Sequence, residues 1–340
     1  MDSVTQIALG AAVGEAVLGR RIGNKALLWG GIIGTLPDLD VFVPLGDVVK
    51  DFTYHRSATH SLLMLALATP LLVWVINRIH PGLREYRWRW ALLVYLVFVT
   101  HVLLDSFTSY GTQLFWPIVD TPVFWSTIFI IDPLYTLPLL IGVIAALIMS
   151  RERERGHRLN RDGLIISSLY LAWTVVASQF AIQGFNSALQ AQNIAHEKLY
   201  VTPAPFSSLL WRAVVIDDRG YYEGYYSVLD DDDITFVHYP GDRQLLAGIE
   251  DHWPVQRLQW FSHGIYSVTR IADDIVISDL RMGVEPNYVF RFKVGEIGNP
   301  HARPTTAEQL VPVRDLGRLP LLWARIWDQS VALSPPAPKL

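Results

Sequence analysis

Imidazoles and carboxylates recur through the apolar first half of this chain at spacings that suit a bound cation. His101 and Asp105 are four residues apart, so on a helix they share one face. Pro37-Asp38-Leu39-Asp40 sets two carboxylates behind a residue that disrupts regular helix, which lets an irregular segment aim them. His55-Arg56-Ser57-Ala58-Thr59-His60-Ser61 reads as a loop entering a helix, with Ser57 or Thr59 available to cap it. Such a helix start, together with Arg56, suits a phosphate oxygen. Asp132 precedes Pro133, where it can serve as a ligand, a general base or simply a helix cap.

Two or three imidazoles mixed with several carboxylates suit zinc or another first-row divalent ion better than calcium. The chemistry such an ion supplies is hydrolysis, by acidifying water and polarising an oxygen. Each signal also has a plain alternative. A His finds an acid at i+4 by chance about one time in ten at ordinary composition. Asp38 and Asp40 could be solvated acids at a helix end, His60 a neighbour of a cap, and Arg56 an interfacial anchor.

What surrounds these residues sharpens the choice. The chain has 340 residues, 51% hydrophobic and only 18% charged, with mean hydropathy +0.26; a soluble domain is about 25% charged. Apolar stretches cover 4–19, 26–45, 61–79, 90–107, 126–150 and 164–184. A membrane helix needs about 20 apolar residues, a length the third to sixth stretches meet. Polar residues and Pro37 interrupt the first two, for which a buried or re-entrant segment is the alternative. The expected fold is a membrane all-α bundle of about six spans over 1–185. A C-terminal extramembrane α+β domain is expected over 186–340, with strands near 211–217, 221–229, 265–271, 274–280 and 288–294. Arg243–Phe261 and Leu319–Gln329 read as partly helical, Asp217–Gly220 as a hairpin turn, and Pro335–Pro338 as a Pro-rich tail. Gly10 with Gly14, and Gly30 with Gly34, have the GxxxG spacing that permits close helix contact.

If all the stretches cross, the basic residues Arg20, Arg21, Lys25, Arg78, Arg84, Arg87, Arg89, Arg151, Arg153, Arg155, Arg158 and Arg161 fall on one side. The opposite connections hold only Lys50 and Arg56, so the basic side is expected in the cytoplasm and the C-terminal domain outside it, across an inner membrane. Asp38 lies thirteen residues beyond Lys25, roughly 20 Å along a helix. His60, His101, Asp105 and Asp132 reach a similar layer, the outer half of a core about 30 Å thick. A charge near the bilayer centre costs about 2.5–3.5 kcal/mol and usually marks function.

Other classes are disfavoured. Net charge is −4, with no basic stripe interleaved with aromatics, so nucleic-acid binding has no electrostatic footprint. The absence of cysteine removes disulfides, thiolate zinc sites and thiol nucleophiles. The first 19 residues lack a basic start and carry Asp2 and Glu15, unlike a cleaved signal peptide. His196 and Glu197 lack the second His of a zinc-protease motif. Asp230–Asp233 could bind calcium but reads better as a solvated turn. Tyr110, Trp116 and Trp125 suit an interfacial aromatic belt.

The Met-Asp-Ser-Val-Thr-Gln start, Pro37–Asp40, His55–Ser61 and His101–Thr108 together resemble the YdjM-like family of inner-membrane metal-dependent hydrolases, sometimes described as LexA-binding. The resemblance covers roughly residues 1–150. It implies a divalent metal, with zinc the expectation and roughly one to three ions, held among Asp38, Asp40, His55, His60, His101 and Asp105. Asp40, His60, His101 and Asp105 are the first choice as ligands, with Asp38 and His55 as ligands or supports. Arg56 is the expected phosphate clamp and Asp132 a ligand or general base. Family members often carry His where this chain has Gln6, which implies one metal fewer or another donor. The family is in turn distantly similar to zinc-dependent phospholipase C and P1 nuclease, which implies phosphoester chemistry. The expected partner is a membrane lipid and the expected substrate a lipid phosphoester of the outer leaflet.

Two rival readings remain. A transporter or proton-coupled channel predicts polar groups continuing into the cytoplasmic half, where the sequence shows few. A structural or regulatory membrane protein would use the His/Asp cluster as a folding metal site.

Overall fold

The computed structural model describes residues 1–149, 153–230, 233–311, 317 and 319–336. Ser150 and Arg151, Asp231 and Asp232 of the acidic run, and Pro338 of the tail lie outside the described residues. The chain divides into two compact units: Met1–Val43 with Tyr54–Thr174, and Pro44–Thr53 with Val175–Leu340. The division thus falls earlier than the expected 185/186, inside a helix, and a short segment near residue 50 counts with the second unit.

The first unit is helical. Asp2 starts α1 (Ser3–Gly14) by accepting from the backbone N–H groups of Val4 and Thr5, both at 3.1 Å. The helix widens into a π turn at Glu15–Gly19 and closes with the short α2 (Arg20–Ile22). Gly23, at φ 66°, supplies the left-handed break that reverses the chain into α3 (Asn24–Thr35). α1 and α3 touch backbone to backbone: a Cβ on Gly10 would stand 2.3 Å from the Gly30 carbonyl oxygen, and one on Gly14 2.4 Å from that of Ala26. The GxxxG spacing is therefore used within the chain. Pro37 ends α3 in a 3-10 turn, Pro37–Phe42.

After α4 (Val48–Tyr54) and a 3-10 turn at Ala58–His60, α5 (Leu62–Ile79) runs antiparallel to α6 (Arg87–Ser106). α6 is the core helix of this unit, burying Trp90, Leu93, Val94, Val97 and Val102 almost completely. α7 (Pro133–Ile148) and the 39-residue α8 (Arg153–Ala191) follow. Leu67 and Leu71 of α5, Ile141 of α7 and Leu169 of α8 are exposed, the surface of helices solvated by lipid rather than water.

Among the described residues, three helices are long and apolar enough to cross a membrane: Leu62–Ile79, Pro81–Ser106 and Glu154–Ala191. The expected count of about six is corrected accordingly. The first stretch changes from α to π geometry at a buried Glu15, and the second stops at Thr35 after 12 residues because Pro37 cannot extend it. The fifth is helical only from Pro133, leaving 16 residues.

The second unit takes its core from the end of α8. Ala177, Ala181, Phe185 and Leu189 recur every fourth residue, form one buried stripe, and pack on Trp211, Ala213 and Val215. Those alternate along β2 (Leu210–Asp217), which lies between β1 (Lys198–Pro203) and β3 (Gly220–Ser227), with β4 (Phe236–Pro240) at the edge. Asp217 pairs with Gly220, so the expected hairpin turn is present. Helix α9 (Trp253–Phe261) precedes β5 (Tyr266–Ile271) and β6 (Asp274–Asp279). A small hairpin of β7 (Gly283–Val284) and β8 (Asn287–Tyr288) leads to β9 (Arg291–Glu296) and β10 (Arg303–Gln309). The second sheet is ordered β10-β9-β6-β5, and α10 (Leu319–Trp327) follows.

Two internal features hold this unit. Arg212 and Glu223, both buried, pair at 2.7 Å, and the Tyr288 hydroxyl lies 2.9 Å from the same guanidinium. Phe52 of α4 sits 4.7, 4.3 and 5.3 Å from the rings of Phe261, Phe290 and Phe292, while Arg257 donates to the Thr53 hydroxyl at 3.0 Å.

Candidate metal centre

In the first unit, Asp38, His60, His101 and Asp105 offer ligand atoms that all lie within 4.8 Å of one another. The 3-10 turn after α3 supplies Asp38, the turn before α5 supplies His60, and α6 supplies the other two from one face. His60 Nε2 is 3.3 Å from Asp38 Oδ1 and 3.3 Å from Asp105 Oδ2. His101 Nε2 is 3.6 and 3.5 Å from the same atoms, and the two Nε2 atoms are 3.4 Å apart. A tetrahedral zinc site with arms of about 2.0–2.1 Å has edges of about 3.3–3.4 Å. Five of the six donor separations are therefore close to the edges of a tetrahedral site, and the sixth, between the two carboxylates, is at most 4.8 Å.

Hydrogen bonding fixes which ring nitrogen each imidazole offers. His101 Nδ1 lies 2.8 Å from the Gly34 carbonyl, which can only accept, so Nδ1 carries a proton and Nε2 faces the cluster. The Thr59 hydroxyl donates to Asp40 Oδ2 at 2.6 Å, leaving it to accept from His60 Nδ1 at 3.0 Å. Both Nε2 atoms are thus placed as donors of a lone pair. Asp105 Oδ2 is buried and makes no well-aligned hydrogen bond, although Arg56 Nε lies 3.3 Å from it and both Nε2 atoms within 3.5 Å, so the oxygen sits among positive or ligating nitrogens. His60, His101 and Asp105 are sealed, with side chains at most 1% exposed, whereas Asp38 is 23% exposed. Access from outside is at Asp38.

The assignments within the expected set change at the acids. Asp38 joins the cluster, and Asp40 does not: residues two apart on a three-per-turn helix point about 240° apart. Asp40 instead binds the ring of His55 at 2.8 Å, the Arg56 N–H at 3.1 Å and Thr59, making it a support for His60. His55 stands with Asp40, outside the four donors. Arg56 is buried at φ 63°, a left-handed conformation that costs a non-glycine residue about 1–3 kcal/mol. Its Nε is 3.3 Å from Asp105 Oδ2, and its guanidinium lies 5.1 Å from the Tyr110 ring. The expected phosphate clamp is thus already paired with a carboxylate of the donor group. Asp132 caps α7 and accepts from the Tyr170 hydroxyl at 2.8 Å; it does not join the donor group.

Two participants come from the amino-terminal segment. Gln6 is buried and donates to Asp105 Oδ1 at 2.9 Å, holding the carboxylate. The Met1 amino nitrogen contacts the same oxygen. Near Gly23, a separate buried group joins Glu15 to the His157 ring and, at 2.7 Å, to Asn160 Nδ2. Glu15 and His157 border a cavity of about 240 Å³ with Asn24, Leu27 and Ala146. Glu15 is ordinary in sequence, and only the fold shows that it is buried.

An apolar helical unit that buries a four-donor His/Asp cluster defines the class: a membrane protein with a possible metal-binding group. The chain belongs to the family described as YdjM inner membrane protein, which it matches over residues 1–181. It is also similar to the protein printed as "Uncharacterized protein YfhP" of Bacillus subtilis (strain 168), 30% identical over 121 residues. That match spans 33% of this chain and 36% of the relative. No solved structure matches the chain.

Proposed function

We propose that this chain is a membrane-embedded, metal-dependent hydrolase acting on a phosphoester of a lipid, with zinc held by Asp38, His60, His101 and Asp105. The observation that carries the reading is the group of five 3.3–3.6 Å separations among those four donors, all within 4.8 Å, inside an apolar helical unit. Zinc in such a site lowers the pKa of bound water towards about 7 and polarises a phosphoryl oxygen. The chain's own residues do the rest. Gly34 and Thr59 hold the imidazole tautomers, Gln6 and Arg56 hold Asp105, and Asp38 marks the side from which a headgroup approaches. Arg56, 3.3 Å from Asp105 Oδ2, is the guanidinium of the site that a phosphate oxygen would meet. Placing the basic residues around Arg20–Lys25, Arg78–Arg89 and Arg155–Arg161 together in the cytoplasm requires the shorter helices α1, α3 and α7 to pass through the apolar layer beside the three long ones; in that arrangement the site lies at the outer leaflet and the second unit in the periplasm.

The test is metal analysis of the purified protein followed by turnover on a panel of lipid phosphoesters. Bound zinc with turnover that disappears in Asp105→Ala supports the proposal. Zinc without turnover on any lipid favours a structural metal site, and no metal in the wild type removes the hydrolase. Asp40 and Asp38 divide the labour measurably. Asp38→Ala is expected to lose the ion on dialysis, whereas Asp40→Ala should retain it with affinity about 10–100-fold weaker, read by chelator competition. Equal losses in the two variants would contradict the assignment of ligand and support.

A transporter reading has one observation of its own: buried Glu15 and Asn160 with half-buried His157, beyond the end of α1 remote from Gln6, give the other half of the unit the polar groups a relay needs. Ion flux in proteoliposomes that Glu15→Gln abolishes would favour it.

A further inference from the structure

Helix α10 presents an apolar row that its own unit does not cover. Its inner side is fixed: Arg325 pairs with Asp230 at 2.7 Å, the Ser227 hydroxyl donates to the Ile326 carbonyl at 2.9 Å, and Ile326 packs on Leu210 and Tyr225. The outer side carries Leu319, Trp323 and Trp327, four residues apart, and both tryptophans are more than 60% exposed. The two indoles meet edge to face with centroids 6.2 Å apart. The only basic residue of the helix is consumed on the inner side, so the outer row is uncharged.

The register of the second unit says what lies beyond this row. Gly184 and Phe185 of α8 pack against Tyr226, the strand residue directly before the Ser227 that anchors α10. Four residues back along α8, about 6 Å of helix rise, Phe180 is 53% exposed, preceded by exposed Val175 and Val176. These belong to the apolar helix that is long enough to cross a membrane. The opposite end of the same strands lies where α8 has already ended, with Glu197 bonded to Ile216. The β2–β3 end bearing α10 is therefore the end closest to lipid. Two more exposed apolar residues flank it: Phe206 in the β1–β2 connection and Leu229 just after β3.

We propose that α10, with Phe206 and Leu229 beside it, rests in the headgroup layer of the bilayer that α8 crosses. An uncharged row of indoles and leucine matches that layer, where tryptophan concentrates and short amphipathic helices lie flat. A protein partner or a second copy of the chain is the competing occupant.

The absence of cysteine makes the test direct. Trp323→Cys and Trp327→Cys, each carrying a nitroxide, are compared in nanodisc-embedded full-length protein with Arg219→Cys, in the exposed turn at the far end of β2. Collision rates with oxygen, which partitions into lipid, and with a water-soluble nickel chelate are read by power saturation. The proposal expects a reversal: oxygen favoured at both α10 positions and nickel favoured at 219. Nickel access at 323 and 327 equal to that at 219 overturns it. So does protection from both reagents, with or without spin–spin broadening, because a protein would then cover the row.

Discussion

With zinc held as proposed, His101→Ala should strip the ion and make the protein indifferent to chelators. The argument begins with what remains. Without that imidazole, His60 Nε2 and two carboxylates still converge, but the Gly34 carbonyl loses the donor that Nδ1 supplies, and three donors must bind in a pocket shaped for four. The carboxylates of Asp38 and Asp105 then share a largely sealed space with less positive charge between them. A ligand present at 100 to 1,000 times its dissociation constant stabilises a fold by about 2.7–4.1 kcal/mol, and the variant forfeits that term. The measurement pairs wild type and variant with and without a chelator, following zinc content and thermal midpoint. Wild type should drop on chelation to a midpoint that His101→Ala already shows. If the variant keeps zinc, or still responds to the chelator, His101 is not a ligand.

The donor cluster was largely legible in the sequence because helical spacing fixes faces: His101 and Asp105 had to point together once α6 formed. The acids after Pro37 were visible as a pair, yet their ranking was inverted. The sequence cannot announce that the segment winds with three residues per turn, which sends Asp38 inward and Asp40 toward His55. Asp132 stood equally well as cap or catalyst until Tyr170, far along the chain, was seen to bond it. Spans were over-counted for a related reason. Hydropathy registers that a stretch is apolar, not that it breaks at Thr35 or begins late at Pro133. Strands β2, β3, β5 and β6 followed from β-branched and aromatic runs, and β9 in part, whereas β1, β4 and β10 were not anticipated. Nor was the allegiance of Phe52, because its ring partners Phe261, Phe290 and Phe292 lie remote in sequence.

Gly30→Ala gives the second large effect, and its sign is the test. In an ordinary helix, replacing glycine by alanine stabilises by about 0.5–1 kcal/mol. At Gly30 the added carbon would stand 2.2 Å from the Gly10 carbonyl oxygen and 3.1 Å from the Gly14 Cα, and backbone atoms cannot rotate aside. α1 and α3 must separate, at the cost of about 1–3 kcal/mol typical of overpacking. Separation also reaches the donor cluster. α1 carries Gln6, which holds Asp105, while α3 carries the Gly34 carbonyl that orients His101 and leads into Asp38. Gly30→Ala should therefore lower the thermal midpoint and weaken zinc binding together. Gly82→Ala, where a Cβ meets nothing within 4 Å, should do neither. Equal midpoints for the two variants would mean that α1 and α3 are not in backbone contact. A lowered midpoint with unchanged zinc affinity would instead keep that contact and detach it from the donor geometry, because Asp38 and His101 would then hold their places without α3 being seated on α1.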